Sequence, residues 1–160
     1  MEDMSKKTLV TSALIYANGP VHIGHMVEYI QTDIYVRFLK LAGKDVAYCG
    51  ADDTHGAPIE INAAKQGVTP EEFIGRWWTE HKRDYNDYLV NFDSYYTTNS
   101  PENRHYTELI FKRLHEAGHI YTKEIELTYC ENCERYLPDR YVKGTCPNCG
   151  APDQYGDVCE

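Results

Sequence analysis

No apolar run in this 160-residue chain approaches the ~18 residues that a membrane-spanning helix requires. Basic residues are also scarce: 16 Lys and Arg stand against 25 Asp and Glu, a formal net charge of −9. That balance argues against a surface that grips nucleic acid by bulk electrostatics, and leaves open only a local patch or a neighbouring part of a longer protein. The start, MEDMSKKTLV, has two lysines but neither an apolar stretch nor a small-residue cleavage site, so the expected location is the cytoplasm. Internal repeats and low-complexity tracts are absent. So are the two commonest phosphate-binding loops, GxGxxG and GxxxxGK[ST]. What is present is an ordinary globular composition, 42% hydrophobic and 26% charged, with room for one domain or one domain and a small appendage. A chain near this length buries about 70% of the surface its unfolded form exposes, enough for a real core.

Strand and helix signals alternate along the first three quarters of the chain. Thr8–Ala13 reads as a strand and Asn18-Gly19-Pro20 as the turn after it. From His25 the period becomes helical, with Val27, Ile30, Ile34, Phe38 and Leu41 on one face and Gly43 at the end. Val46–Gly50 suits a buried parallel strand that leads into Asp52-Asp53. A helix is predicted over Pro58–Gln66. Thr69-Pro70-Glu71-Glu72 then carries an N-cap, a first-turn proline and a capping-box glutamate. The helix it opens has Phe73, Trp77, His81, Tyr85 and Tyr88 in one stripe, which reads as core packing rather than a platform for bases. Ser94–Thr98 reads as strand, and Ser100-Pro101 opens a helix with Leu109, Ile110, Leu114 and Ala117 inward and Gly118 at its end. This order implies an α/β fold built on a doubly wound, mostly parallel sheet. After about Tyr121, turn residues and cysteines replace the periodic helices, which divides the chain into 1–120 and 121–160.

The chemistry concentrates between the first strand and the first helix, in Leu14-Ile15-Tyr16-Ala17-Asn18-Gly19-Pro20-Val21-His22-Ile23-Gly24-His25. Ligands of doubly wound sheets sit at the carboxyl ends of the strands, and a helix start there offers unpaired N–H groups to phosphate. His22 and His25 can donate to phosphate oxygens, while Gly24 lets a nucleotide approach the backbone. Alone, HxGH is also what two surface histidines capping a helix would look like. Further on, Asp52-Asp53 suit a substrate ammonium. His55 follows them with a structural or ligand-facing role, and His81, His105, His115 and His119 read as packed or surface residues.

Cys49 is alone, whereas Cys130, Cys133, Cys146, Cys149 and Cys159 are spaced C-x2-C-x12-C-x2-C-x9-C. Without a secretion signal, paired CxxC turns read as zinc ligands, and spacing alone favours one site built from Cys130, Cys133, Cys146 and Cys149.

The segments ALIYANGPVHIGH, GADDTHG (50–56), ENRHY (102–106), LPDRYVKGTCPNCG (137–150) and DQYGDVC (153–159) resemble the class I aminoacyl-tRNA synthetases, and within them the methionyl-tRNA synthetase family. The likeness runs from about residue 8 to the end. One departure is Ile15, where most members have a proline. The resemblance implies methionine–tRNA ligase activity: ATP-dependent formation of methionyl-adenylate, then transfer to the 3′ end of tRNA(Met). It implies catalytic and ATP-binding roles for His22, Gly24 and His25, with Mg2+ accompanying ATP, and methionine binding by Leu14, Tyr16 and Asp53. It pairs the cysteines differently from spacing alone. Cys146, Cys149 and Cys159 form one structural zinc knuckle with a further cysteine downstream, and Cys130 and Cys133 a second possible site. It also implies that the rest of the insertion, a second half of the nucleotide fold with a KMSKS loop, and an anticodon-binding domain follow Glu160. The chain on its own is then expected to be inactive. Two other classes compete with this reading: a binding module with a zinc ribbon and no catalysis, and a different nucleotidyltransferase carrying the same histidine motif.

Overall fold

The computed structural model describes residues 6–132 and 134–156. It divides into two compact units, 1–113 and 114–160.

In the first unit the strands are β1 (Thr8–Thr11), β2 (Ile15–Tyr16), β3 (Val46–Asp53) and β4 (Ser94–Thr97), all parallel. β3 is central. Cys49 pairs with both Thr11 and Ser94, and Asp52 with both Ile15 and Thr97. β1 and β2 therefore follow each other along one edge of β3, and β4 lies on the other. The helices are α1 (Ile23–Leu41), α2 (Ala57–Gln66), α3 (Pro70–Asp87) and α4 (Pro101–Glu116), the last of which runs on past residue 113 into the second unit. This is the Rossmann-like α/β arrangement with parallel strands that the alternation predicts.

Local chemistry sets the helix boundaries. Thr69 caps α3 through its hydroxyl, Glu72 returns a bond to the Thr69 N–H, and Pro70 occupies the first turn. α2 ends on Gly67 in the left-handed region. The main core is strongly aromatic: Met26, Tyr29 and Val36 of α1 meet Val46 and Tyr48 of β3, Tyr85 of α3, and Val90. A second cluster joins Ala17 to Ile59, Ala63, Phe73 and Ile74.

Two apolar stripes read from the sequence are mostly exposed, although Ile30 of the first packs, partly buried, against this core. On α1 the buried residues are Met26, Tyr29, Asp33 and Val36, while Val27, Ile34, Phe38 and Leu41 are exposed, Leu41 at 89%. The inward face carries polar groups with partners. Tyr29 donates its hydroxyl to the Ala13 carbonyl, and Asp33 accepts from the Asn91 N–H. On α4, Leu109 is half-buried and Ile110, Leu114 and Ala117 are exposed. The α3 stripe is core as expected down to Tyr85, and Tyr88 at its end is exposed.

The second unit contains two small antiparallel ribbons: β5 (Tyr129–Cys130) with β6 (Arg135–Tyr136), and β7 (Lys143–Gly144) with β8 (Gln154–Tyr155). A 3-10 turn at Asp139–Tyr141 lies between them in sequence, and the Gly156 N–H bonds to the carbonyls of Asp139 and Val142. Among the described residues no helix is long and apolar enough to cross a membrane.

Gly50 sits where β3 meets the aromatic cluster. A Cβ there would lie 2.5 Å from Cε1 of Phe92 and 3.1 Å from Cδ2 of Tyr95. Gly50→Ala should therefore displace Phe92 and destabilise the fold by about 1–3 kcal/mol. The check is a lower midpoint of chemical denaturation at unchanged slope.

Candidate active site

Because the strands are parallel, the loop after β1, the end of β3 and the end of β4 gather at one edge of the sheet. The loop from Ser12 to His22 is held there nearly residue by residue. The Ala13 N–H donates to Glu28 Oε1 (2.6 Å), and the Ala17 N–H to the Asp53 carbonyl (2.8 Å). Asn62 donates its amide to Asn18 Oδ1 (2.8 Å), and His81 Nε2 lies 2.7 Å from the Gly19 carbonyl.

The loop delivers His22 to the N-cap of α1. Its Nδ1 accepts the Gly24 N–H at 3.1 Å, and Nδ1 of His25 accepts the His22 N–H at 3.3 Å. The two imidazoles thus form a reciprocal capping box and stack with centroids 3.6 Å apart. An Nδ1 that accepts cannot carry a proton, so each neutral ring holds its hydrogen on Nε2. The result is a pair of N–H donors at the positive end of a 19-residue helix that has no acidic residue in its first turn. Burial, then the neighbouring His22, then the more distant His81 hold His25 below the ordinary imidazole value. Gly24 has a local role besides any nucleotide contact: a Cβ there would stand 3.0 Å from Cε1 of His22.

Asp52 and Asp53 have different surroundings. Strand alternation turns Asp52 into the core, fully buried, where one carboxylate oxygen meets His81 Nδ1 at 3.1 Å and the other accepts from the Tyr95 hydroxyl. Asp53 is half-buried, and among the described residues its carboxylate makes no hydrogen bond. Tyr16 is half-buried and Leu14 exposed; Gly56, at φ 118°, leaves space for the Tyr16 hydroxyl, 3.0 Å from where a Cβ would stand.

A cavity of about 660 Å³ opens beside the end of β4, lined by His55, Thr98, Ser100, Asn103 and Arg104 among others. His55 Nδ1 is 3.2 Å from the Thr98 hydroxyl, and Asn103 donates its amide to the Thr98 carbonyl. No pattern in the sequence assigns a role to Asn103 or Arg104 of the ENRHY segment; the Ser100 cap that begins α4 is the signal that fixes them here. In sequence His81 reads as a packed or surface residue. Its two polar partners come from β3 and the loop before α1, and no local pattern joins them.

In the second unit, the turn between Cys146 and Cys149 is closed by the Gly150 N–H on the Cys146 carbonyl (2.9 Å), with Gly150 at φ 74°. This is the kind of turn that offers two thiolates to one ion. Of the other expected ligands, Cys130 lies at the end of β5, and Cys133 and Cys159 lie outside the described residues. Among the described residues no group of three or more His, Cys, Asp or Glu is placed to hold a metal.

Residues 8–160 match the family model described as tRNA synthetases class I (M). The chain is 67% identical over 157 residues to the methionine–tRNA ligase of Myxococcus xanthus, covering 98% of this chain and 22% of that protein. It is 58% identical over 155 residues to that of Ralstonia nicotianae, with 97% and 22% covered. It therefore spans about a fifth of the length of these relatives. Among solved structures it resembles Mycobacterium tuberculosis methionyl-tRNA synthetase bound by methionyl-adenylate, with TM-score 0.75, 26% identity, and 94% of this chain and 31% of that one covered. It also resembles Agrobacterium radiobacter K84 agnB2 LeuRS in a complex with tRNA and LeuAMS, with TM-score 0.72, 25% identity, and 94% and 20% covered.

The depressed His25 value fixes the pH response of the capping box. The box is complete above about pH 6.5, the unfolded imidazole value, and is lost as pH falls through the lower folded value. In an NMR titration, His25 should titrate below 6.5 with the His22 amide moving in step. A midpoint at or above 6.5 would contradict the neutral box.

Proposed function

The chain belongs to the class I tRNA synthetase (M) family, and from that premise we propose that it is the front part of a methionine–tRNA ligase. Methionine, ATP with Mg2+, and tRNA(Met) are its substrates. The carboxylate oxygen of methionine attacks the α-phosphorus of ATP, pyrophosphate leaves in line, and the methionyl group passes from the adenylate to the 3′ end of the tRNA. The observation that carries this reading is the stacked His22–His25 pair, whose outward Nε2–H groups stand at the start of α1. In such a displacement the protein contributes positioning and charge stabilisation, and these two donors are suited to the phosphate oxygens. Gly24 keeps His22 in its place and leaves the backbone open to the nucleotide. Asp53, whose carboxylate makes no hydrogen bond among the described residues, is the partner for the methionine ammonium, and Leu14 and Tyr16 border the side-chain pocket.

Residues 1–120 are proposed as the first half of the nucleotide-binding domain, and 121–160 as the start of a zinc-binding insertion. The exposed α1 stripe of Val27, Ile34, Phe38 and Leu41 is consistent with further protein packing on this half, as is a sheet in which β1 and β2 pair only with β3 among the described residues. In the insertion, Cys146 and Cys149 would supply two thiolates of a structural zinc site, Cys159 a third and a downstream residue the fourth. Cys130 and Cys133 would belong to a second site. Zinc filled by four thiolates would cross-link the segment and supply folding energy, with no open position for chemistry. The compartment proposed is the cytoplasm.

The deciding experiment is methionine-dependent ATP–pyrophosphate exchange by the protein encoded when the reading frame is followed past Glu160. That protein should exchange, the 160-residue chain alone should stay at background, and His22→Ala in the longer protein should lower kcat by about 10²-fold or more, with methionine affinity nearly unchanged. Loss concentrated in methionine affinity would remove His22 from the phosphates. No exchange in the longer protein would refute the ligase reading and leave the binding module.

Zinc affinity gives a separate test. In competition against a chelator, the 160-residue chain should hold zinc more weakly than the longer protein, because the main site lacks its fourth thiolate. Equal affinities would overturn the ligand assignment.

A further inference from the structure

His81 lies in the middle of α3, is 0% exposed, and neither ring nitrogen is spent on packing. Nδ1 faces Oδ2 of Asp52 at 3.1 Å, and Nε2 faces the Gly19 carbonyl at 2.7 Å. Asp52 is itself fully buried, and its second oxygen accepts the Tyr95 hydroxyl. A chain of hydrogen bonds thus runs from β4 through β3 and α3 into the loop that leads to α1. Gly19 is its last link before His22. Pro20 follows without an N–H, Val21 is held only by apolar packing on the core, and among the described residues no hydrogen bond ties residues 20 and 21 to the rest of the unit.

We propose that His81 is a positioning residue that grips the Gly19 carbonyl, with Asp52 as its anchor, and so sets where His22 and His25 stand. The proposal rests on the ligase reading for its consequence in catalysis, but not for its geometry. Two acceptors face the two ring nitrogens, and only an imidazolium donates to both. A neutral ring has one N–H and leaves either Asp52 or Gly19 facing a lone pair. The groups around it favour the charged form: Asp52 on β3, whose second oxygen is held by Tyr95 of β4, and Asp84 one turn along α3. Against them stand burial and, across the loop, His25 on α1. The balance raises His81 above the ordinary imidazole value. The sign follows: the grip is complete below about pH 6.5 and is released as pH rises through the higher folded value.

Two substitutions separate positioning from packing. The amide nitrogen of asparagine falls near the place of Nδ1, so His81→Asn keeps the bond to Asp52 and drops Gly19. Glutamine reaches the place of Nε2, so His81→Gln keeps Gly19 and drops Asp52. In the longer protein, His81→Asn should lower kcat of methionine-dependent exchange by about 30-fold or more with KM for methionine within about threefold, since a displacement of ~1 Å costs rate on this scale. His81→Gln should recover at least tenfold of that loss. Equal loss in both variants, or no loss in His81→Asn, would make the pair a core contact only. A wild-type protein without exchange would refute the ligase reading instead, and is thereby distinguished.

The wild-type 160-residue chain tests the grip without catalysis, and without a variant that has to fold. Nitrogen-15 shifts of the His81 ring should report both nitrogens protonated at about pH 6, below the ordinary imidazole value. As pH rises and His81 loses its proton, the amide resonances of Gly24 and His25 should move with the same midpoint. A singly protonated His81 at that pH, or a titration that leaves those amides still, would overturn the proposal.

Discussion

Everything at the working end of the sheet is arranged around one buried carboxylate. Asp52 has no exposure, and an ionised carboxyl in such a place is tolerated only when its oxygens are taken up by donors. One is taken by His81 and the other by Tyr95, residues from two other elements, so satisfying Asp52 also fixes α3 and β4 against β3. Removing one partner from a buried pair of this kind costs about 3–5 kcal/mol, which makes the cluster a constraint rather than a decoration. The two-residue period of the strand then dictates the neighbour: with Asp52 turned inward, Asp53 points to the other face, where its carboxylate has no hydrogen bond among the described residues. Two adjacent identical residues are thereby divided into one that builds the site and one suited to a ligand.

The second constraint is the choice of histidine at a helix start. Ser, Thr, Asp and Asn are the usual caps, short side chains whose polar atoms lie close against the backbone they cap. An imidazole caps with Nδ1 and still presents Nε2–H on the far side of the ring. In this chain two such rings cap each other's turn and stack, so both outward donors have fixed directions before any ligand arrives. Gly24 is the local condition for this, because the space a Cβ would need is occupied by the His22 ring.

The sequence is most legible where chemistry is local. The turn at Asn18-Gly19-Pro20, the Thr69–Glu72 capping box and the Gly67 stop are written in neighbouring residues, and the elements they bound were readable. Faces were less so. Periodicity finds an apolar stripe on α1 but not what it packs against. The stripe that meets the sheet contains Tyr29 and Asp33, whose polar atoms have partners at Ala13 and Asn91, and a count of apolar residues passes over it. The two-residue strand β2 is too short for any period. The histidine motif was legible as a motif, while the tautomers that give it chemistry follow only from which atoms accept which N–H groups. His81 marks the limit: in a stripe with Phe73 and Tyr85 it reads as core, which is true, and nothing near it in sequence says that it holds Gly19.

The two histidine systems need opposite protonation states, and their closeness reconciles them. The capping box works with lone pairs on Nδ1 and fails when His25 gains a proton. The His81 bridge works with two N–H groups and fails when His81 loses one. Were the groups independent, each at the ordinary imidazole value, no pH would favour both. Here Asp52 and the Gly19 carbonyl favour the proton on His81, and the resulting positive charge is one of the causes that lower His25. The charge that secures the loop from behind thus helps keep His25 in front neutral. Shifts in opposite directions separate the two titrations and leave a window around the ordinary imidazole value in which the loop is held and the capping box is complete.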